Sequence, residues 1–359
     1  MKKIGKIVKL SLISLSSLSI FSASTINASA ASMSFSKIEK SAKKEGKVNT
    51  LAMGADYVNW GETWNDIKNK YGIKHTDTDL SSAQELQKFK TEGKNATVDM
   101  GDIALSVAPT AVKEKLLAKY KTNYWKYIPS WAKDKNGYWA LGYTGTIAFI
   151  TDTKNVSASK APTSWKELLN GKYQVSINDV STVADAQYGV LAAAYANGGS
   201  VKNIKPGLKF FAKLNKENRL SSVQPTVDNL KKGETQVSIL WDCDALYYKH
   251  LINSKRYKVT IPSDGSVTSG YAEVINKYAP HKNAAKLARN YILSKKGQIN
   301  LAKGYARPIR TDIKLPSSVK SKLIPDKEYK KIYHIKDVAA LNKMALRLPK
   351  LWQSEVLGK

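Results

Sequence analysis

The sequence predicts an α/β protein built as two α/β lobes joined by crossover strands. Three observations carry that expectation. The chain has 359 residues, about two domains' worth at roughly 150 residues each. From Ser34 onward strand-like and helix-like segments alternate, the rhythm of a parallel sheet covered by helices. One segment, Tyr138–Thr151 (YWALGYTGTIAFIT), is aromatic, β-branched and too long for an ordinary strand. It reads as a strand leaving one lobe and entering the other.

The elements follow in order. Ser36–Lys44 is a short basic helix stopped by Gly46, and Val48–Met53 a strand opening into Gly54-Ala55-Asp56-Tyr57. Trp64–Tyr71 is helical and ends at Gly72, and Ile73–Thr76 is a weak strand. Ser82-Ala83-Gln84-Glu85 has the capping-box spacing and starts a helix. Asp102–Leu105 is a strand, and Pro109 suits the first turn of a helix running to about Tyr120. Past the crossover, Ser164-Trp165-Lys166-Glu167 is a second capping box, and Gln174–Ile177 a strand. Val183–Ala196 is a small-residue helix closed by Asn197-Gly198-Gly199. Leu208–Leu214 and Thr226–Lys231 are helical. Gln236–Leu240 is a strand ending in Trp241-Asp242-Cys243-Asp244. Lys258–Ile261 is a strand, and Tyr271–Ile275 is another that returns to the first lobe. Asn283–Leu293 and Gly297–Leu301 are helical, and a Lys-rich helical tail follows Pro316. The expected division is a leader over 1–30, a first lobe over 31–148 and 271–318, and a second over 149–270 and 319–359.

The leader reads as a secretory signal. Lys2, Lys3, Lys6 and Lys9 precede an apolar, Ser-rich run to about Phe21, and Ala28-Ser29-Ala30 is a small-x-small cleavage pattern. The run is short and too diluted with serine to span a membrane. The expectation is an exported protein, extracellular or cell-surface associated, or periplasmic in a Gram-negative cell. One cysteine, Cys243, excludes an intramolecular disulfide, and four histidines without metal-ligand spacing argue against a metal site. No cofactor is expected. The net charge is +29, and removing the leader leaves +25. Only six of the 58 basic residues are Arg, which argues against nucleic acid, whose base edges are read largely by Arg. Anionic wall polymers fit the charge better, and with them a Gram-positive source.

Several fragments occur in order: WNDIKNKYGI, LGYTGTIAFITDT, PTSWKELL, KGETQVSILWD, VTIPSDG, APHKNAAKLARNYILSKKGQ and GYARPIR. Together with the leader they resemble the extracellular solute-binding proteins of ABC importers. Within them, the pattern is similar to the branch that includes ferric-ion, polyamine, thiamine and phosphonate binders. The resemblance implies two hinged α/β lobes of the type II periplasmic-binding-protein kind, a solute held in the cleft between them, an ABC permease as partner, and no catalysis. A monomer is expected. Ferric-binding members carry a Tyr-Tyr pair where Cys243-Asp244 stands here, which speaks against iron. Polyamine binders carry acidic and Trp side chains on the returning strand. Gly270-Tyr271-Ala272-Glu273 offers an acid without Trp.

Ligands in open α/β sheets sit beyond the carboxyl ends of strands and at helix starts. That rule selects Asp56, Tyr57, Ser82, Ser106, Tyr143, Thr144, Ser181, Thr182, Trp241, Asp242 and Tyr271, with Ser81, Thr146, Asp185, Asp244 and Ser269 beside them. The hydroxyls at helix starts suit an oxyanion, a phosphonate or sugar phosphate. The acids with Trp241 and Tyr143 suit a cation, a polyamine or thiamine. The sequence leaves both open. It contains no G-x-S-x-G elbow, metal triad or P-loop, so an enzyme is not expected; the alternative to a transporter component is a basic surface adhesin.

Overall fold

The computed structural model describes residues 34–252 and 255–358; the leader predicted over 1–30 lies outside them. Twelve strands run in chain order: β1 (Lys47–Leu51), β2 (Lys74–Thr78), β3 (Met100–Ala104), β4 (Trp139–Leu141), β5 (Tyr143–Asp152), β6 (Val175–Ile177), β7 (Val237–Trp241), β8 (Tyr257–Thr260), β9 (Ser266–Ser269), β10 (Tyr271–Ile275), β11 (Arg307–Pro308) and β12 (Ile332–His334). They form two sheets. The first has the order β2-β1-β3-β10-β4, and the second β12-β9-β5-β7-β6, with β8 and β11 also pairing with β5. In the first, β1 is parallel to β2 and β3, and β10 is antiparallel to β3 and β4. Helices cover the sheets, so β3, β5 and β7 are buried along their whole length, as strands covered on both faces must be. Among the described residues no helix is long and apolar enough to cross a membrane.

The chain passes between sheets at two adjacent glycines. Gly142 separates β4 from β5, and Gly270 separates β9 from β10. The Gly142 N–H donates to Tyr271 O at 3.3 Å, and Gly145 pairs with Ser269. Both glycines are required by close approach. A Cβ on Gly270 would stand 2.1 Å from Tyr143 O, and one on Gly142 would stand 2.0 Å from Glu273 Oε1. The expected crossover is therefore two strands, one in each sheet. Gln298 braces it from the helix Lys295–Lys303: its side-chain amide donates to Gly142 O at 2.7 Å and accepts from Ile309 N at 2.8 Å.

Some elements differ from the sequence reading. The helix expected from Trp64 starts at Trp60, after Val58 and Asn59 turn the chain with φ of 38° and 60°. The capping box belongs to Ser81 and Gln84, one residue earlier than expected; Ser82 Oγ instead accepts from Ala104 N at 2.9 Å. The helix expected to reach Tyr120 is Ala108–Lys113, ended where Lys115 turns at φ 58°. β9 and β12 had no strand signal.

Candidate ligand-binding cleft

The loop after β1 carries Tyr57. It is tightly wound, with Ala52, Val58 and Asn59 all at positive φ, an expensive conformation for a β-branched residue. It is held from outside: Asn59 Nδ2 donates to Asn300 O at 2.9 Å, and Gly304 lies so close that a Cβ there would meet the Val58 carbonyl carbon at 2.3 Å. The loop presents Tyr57 to two crossover tyrosines. Ring centroids are 6.3 Å apart for Tyr57–Tyr143, 6.4 Å for Tyr57–Tyr271 and 6.1 Å for Tyr143–Tyr271, the first two edge-on and the last stacked. Tyr143 packs edge-on against Trp60, and its hydroxyl donates to Asp102 Oδ2 at 2.8 Å.

The second sheet supplies the facing wall. β7 ends at Trp241, whose ring lies over Gly145, where a Cβ would stand 3.2 Å from the ring's Cγ and Cδ2. Tyr188, on the helix Ala184–Ala196, packs against the indole at 5.0 Å and accepts from Ser269 Oγ at 2.9 Å. The helix Asp242–Leu251 then brings Asp244 to the cleft, where the Tyr57 hydroxyl is close enough to stabilise its ionised form. A carboxylate at a helix start is ordinarily favoured. Here burial outweighs that, and the neighbouring acids Asp185 and Asp242 push the Asp244 carboxyl further up. Burial likewise raises Asp185 to about 6. Burial, followed by nearby carboxyls, drives the Tyr57, Tyr143 and Tyr271 phenols well above their ordinary range. They stay neutral, as hydroxyl donors with negative ring faces.

The rings of this wall carry no stacked Lys or Arg among the described residues. Among the described residues, Lys and Arg stack on rings elsewhere, such as Lys70 on Tyr71 and Arg310 on Tyr124, and none stacks on Tyr57, Tyr143, Tyr271, Tyr188 or Trp241. An aromatic lining with carboxyls and ring faces left free of Lys and Arg is the arrangement that attracts an ammonium group.

Of the residues expected at the site, Tyr57, Tyr143, Trp241 and Tyr271 converge. Ser106 joins through its backbone, whose N–H supports the Tyr188 hydroxyl. Asp56 is exposed and near enough to raise Tyr247. Ser181 and Thr182 are exposed and tied to Asp179: Ser181 N donates to Oδ1 at 2.8 Å and Thr182 Oγ1 to Oδ2 at 3.0 Å. Asp242 turns away from the rings and accepts from Thr146 N, Cys243 N and the Tyr329 hydroxyl. Thr144 points to the other face of β5, into a separate cavity of about 1030 Å³ that it shares with Thr146, Thr268, Arg307 and Tyr329. The residues that sequence reasoning missed are Asp102 and Tyr188. An acid inside the buried strand MGDIA was the available signal for the first; Tyr188, amid small residues in mid-helix, gave none.

The profile of the bacterial extracellular solute-binding protein family matches residues 102–333. A Salmonella typhimurium periplasmic protein described as 2-aminoethylphosphonate-binding is 25% identical over 234 residues, covering 61% of this chain and 66% of the relative's length. The fold is shared with AfuA from Actinobacillus pleuropneumoniae, a periplasmic binding protein solved with fructose-6-phosphate (TM-score 0.73, 19% identity, 87% of this chain and 99% of that one). It is shared also with a ferric binding protein from Campylobacter jejuni (TM-score 0.67, 18% identity, 86% and 98%). These likenesses establish the type II periplasmic-binding-protein fold. On the family match, the chain belongs to the bacterial extracellular solute-binding proteins.

Proposed function

We propose that the protein is the solute-binding component of an ABC importer, exported and working with a membrane permease, and that its solute presents a cationic nitrogen to the cleft. The observation that carries the second half is the lining: Tyr57, Tyr143, Tyr271 and Trp241 around the Asp244 carboxyl, with no Lys or Arg over these four rings among the described residues. A desolvated cation on such a face gains about 2 kcal/mol or more per contact. An oxyanion would meet acids instead, and at the helix start expected to bind one the Ser181 N–H and the Thr182 hydroxyl are both committed to Asp179. The relative described as 2-aminoethylphosphonate-binding is compatible, since that solute carries an ammonium group.

The working parts are two lobes, one on the β2-β1-β3-β10-β4 sheet and one on the second sheet, hinged where the chain crosses at Gly142 and Gly270. Tyr57 from the first side and Trp241 and Asp244 from the second would close on the solute. The test is a thermal-shift screen of 2-aminoethylphosphonate, spermidine and thiamine against phosphate, fructose 6-phosphate and ferric citrate. A bound solute at 100 times its Kd stabilises by about 2.7 kcal/mol. Stabilisation by the nitrogen-bearing compounds supports the reading; stabilisation by the last three alone refutes it.

A further inference from the structure

Behind Tyr143, on the side away from the cleft, the first sheet encloses a group of acids. Asp102 of β3 stands directly opposite Glu273 of β10 in the antiparallel register, which sets the two side chains on one face with Cβ atoms about 5 Å apart. Asp102 is 1% exposed and Glu273 0%. Tyr143 donates to Asp102 Oδ2. Asp102 Oδ1 and both Glu273 oxygens have no hydrogen-bond partner among the described residues, and Glu273 leans on the crossover glycine Gly142.

The surroundings add negative charge. Glu85, from the helix Ser82–Glu92, packs over Gly101, across β3 from the Asp102 side chain, and is raised by Asp102, Asp77 and Asp79, while Asp77 of β2 also raises Asp102. Tyr271 faces it from β10. The buried cation that acts on Glu273 is Arg289, on the helix Lys282–Ile292, which donates to Tyr120 O at 3.2 Å and also feels Asp134 and the Tyr120 phenol. One guanidinium balances one carboxylate. Two dry carboxyls facing each other with a single partner do not both ionise. Burial accordingly raises Asp102 to about 8 and Glu273 in the same direction.

We infer that the Asp102–Glu273 pair stores a proton that is expelled when a cationic nitrogen enters the cleft, so that solute capture is linked to proton release. The inference rests on the cationic reading of the site. A cation among Tyr57, Tyr143 and Tyr271 sits one phenol away from Asp102, and its field favours the ionised carboxylate. The O–H bond of the protonated carboxyl breaks, and the proton passes to solvent. Tyr143 keeps its own proton and donates it to a now charged acceptor, a stronger hydrogen bond that fixes the ring. Asp102 is thus a positioning residue acting through Tyr143.

Two measurements test this. The first needs no solute. An acid raised in the folded state binds a proton that the unfolded chain has released, so its contribution to stability is full below the unfolded value and is lost as pH rises through the folded one. Urea unfolding of Asp102→Asn from pH 5 to 8 should therefore lack that decline, its slope differing from the parent by about one proton; Glu273→Gln serves if the Asn variant folds poorly. Equal slopes overturn the stored proton. The second is calorimetry with 2-aminoethylphosphonate, spermidine and thiamine at pH 7.5 in phosphate and in Tris. The raised Asp244 carboxyl releases its share of a proton in parent and variant alike, so the parent should release about half a proton more per solute bound than Asp102→Asn. Equal release by the two, or net uptake by the parent, overturns the linkage. If none of the three binds, the cationic reading falls and the linkage with it, while the unfolding slopes still decide whether the pair holds a proton.

Discussion

Replacing Asp244 by Asn should stabilise the protein and weaken its solute binding, two effects of opposite sign from one oxygen-to-nitrogen change. In the unliganded protein the Asp244 carboxyl is raised first by burial and then by Asp185 and Asp242, with Cys243 and Tyr57 offsetting part of this. Asn keeps the shape and an acceptor for the Tyr57 hydroxyl while removing the like charge, worth about 1 kcal/mol at an effective dielectric constant near 20. That should raise the melting temperature by about 1–2 °C. In the complex, an ammonium about 4 Å from the carboxylate gains about 4 kcal/mol on the same scale. Desolvation reduces this to about 2–3 kcal/mol, or about 30- to 150-fold in Kd. The pH dependence fixes the sign. The ionised fraction of a raised carboxyl grows with pH, so both the variant's stability advantage and its affinity deficit should widen from pH 5 to pH 8. Thermal unfolding and calorimetric titration with the tightest-binding amine, at each pH unit, read both. An Asn variant that binds the amine like the parent at pH 8, or melts lower there, would refute the assignment of Asp244 as the solute's counter-charge.

Further outcomes follow from the same geometry. Trp241→Ala should weaken solute binding by about 1–3 kcal/mol, read by calorimetry, with far-UV circular dichroism unchanged. Gly270→Ala should cost at least about 3 kcal/mol in urea unfolding, because its Cβ would collide with Tyr143 O at 2.1 Å between two strands that have no room to part. Gln298→Ala should cost about 3 kcal/mol, since it strands buried groups at Gly142, Ile292, Ile309 and Arg310 that one amide now satisfies. Small-angle scattering should show contraction when an amine saturates the protein; an unchanged radius would count against closure about Gly142 and Gly270.

The sequence was most legible where apolar runs end in punctuation. β10 occupies Tyr271–Ile275 as expected, because YAEVI is a short β-branched run set off by Gly270 and Asn276. β9 was silent because SVTS is polar. It is nonetheless fully buried, with Ser266 donating to Ile147 O and Thr268 paired with Thr146, tertiary satisfaction that local pattern does not reveal. Two adjacent serines, each followed three residues later by Gln84 or Glu85, gave two equivalent capping boxes. Only the packing of Glu85 over Gly101 decides for Ser81. In the site, Tyr57, Trp241 and Tyr271 were legible because they stand at strand boundaries. Tyr143 and Thr144 were taken together, yet strand alternation sends them to opposite faces of β5, and only one face meets Tyr57. Asp102 was hidden inside a strand, its role visible only once β10 set Glu273 opposite it.

A crystal structure of the protein with the tightest-binding of 2-aminoethylphosphonate, spermidine and thiamine decides where the solute's cation lies. The predicted result is a cationic nitrogen within about 4 Å of the Asp244 carboxylate, over the ring faces of Tyr57, Tyr271 or Trp241. Density for the solute on the other face of β5, among Thr144, Thr146 and Arg307, with the aromatic cleft unoccupied, would contradict it.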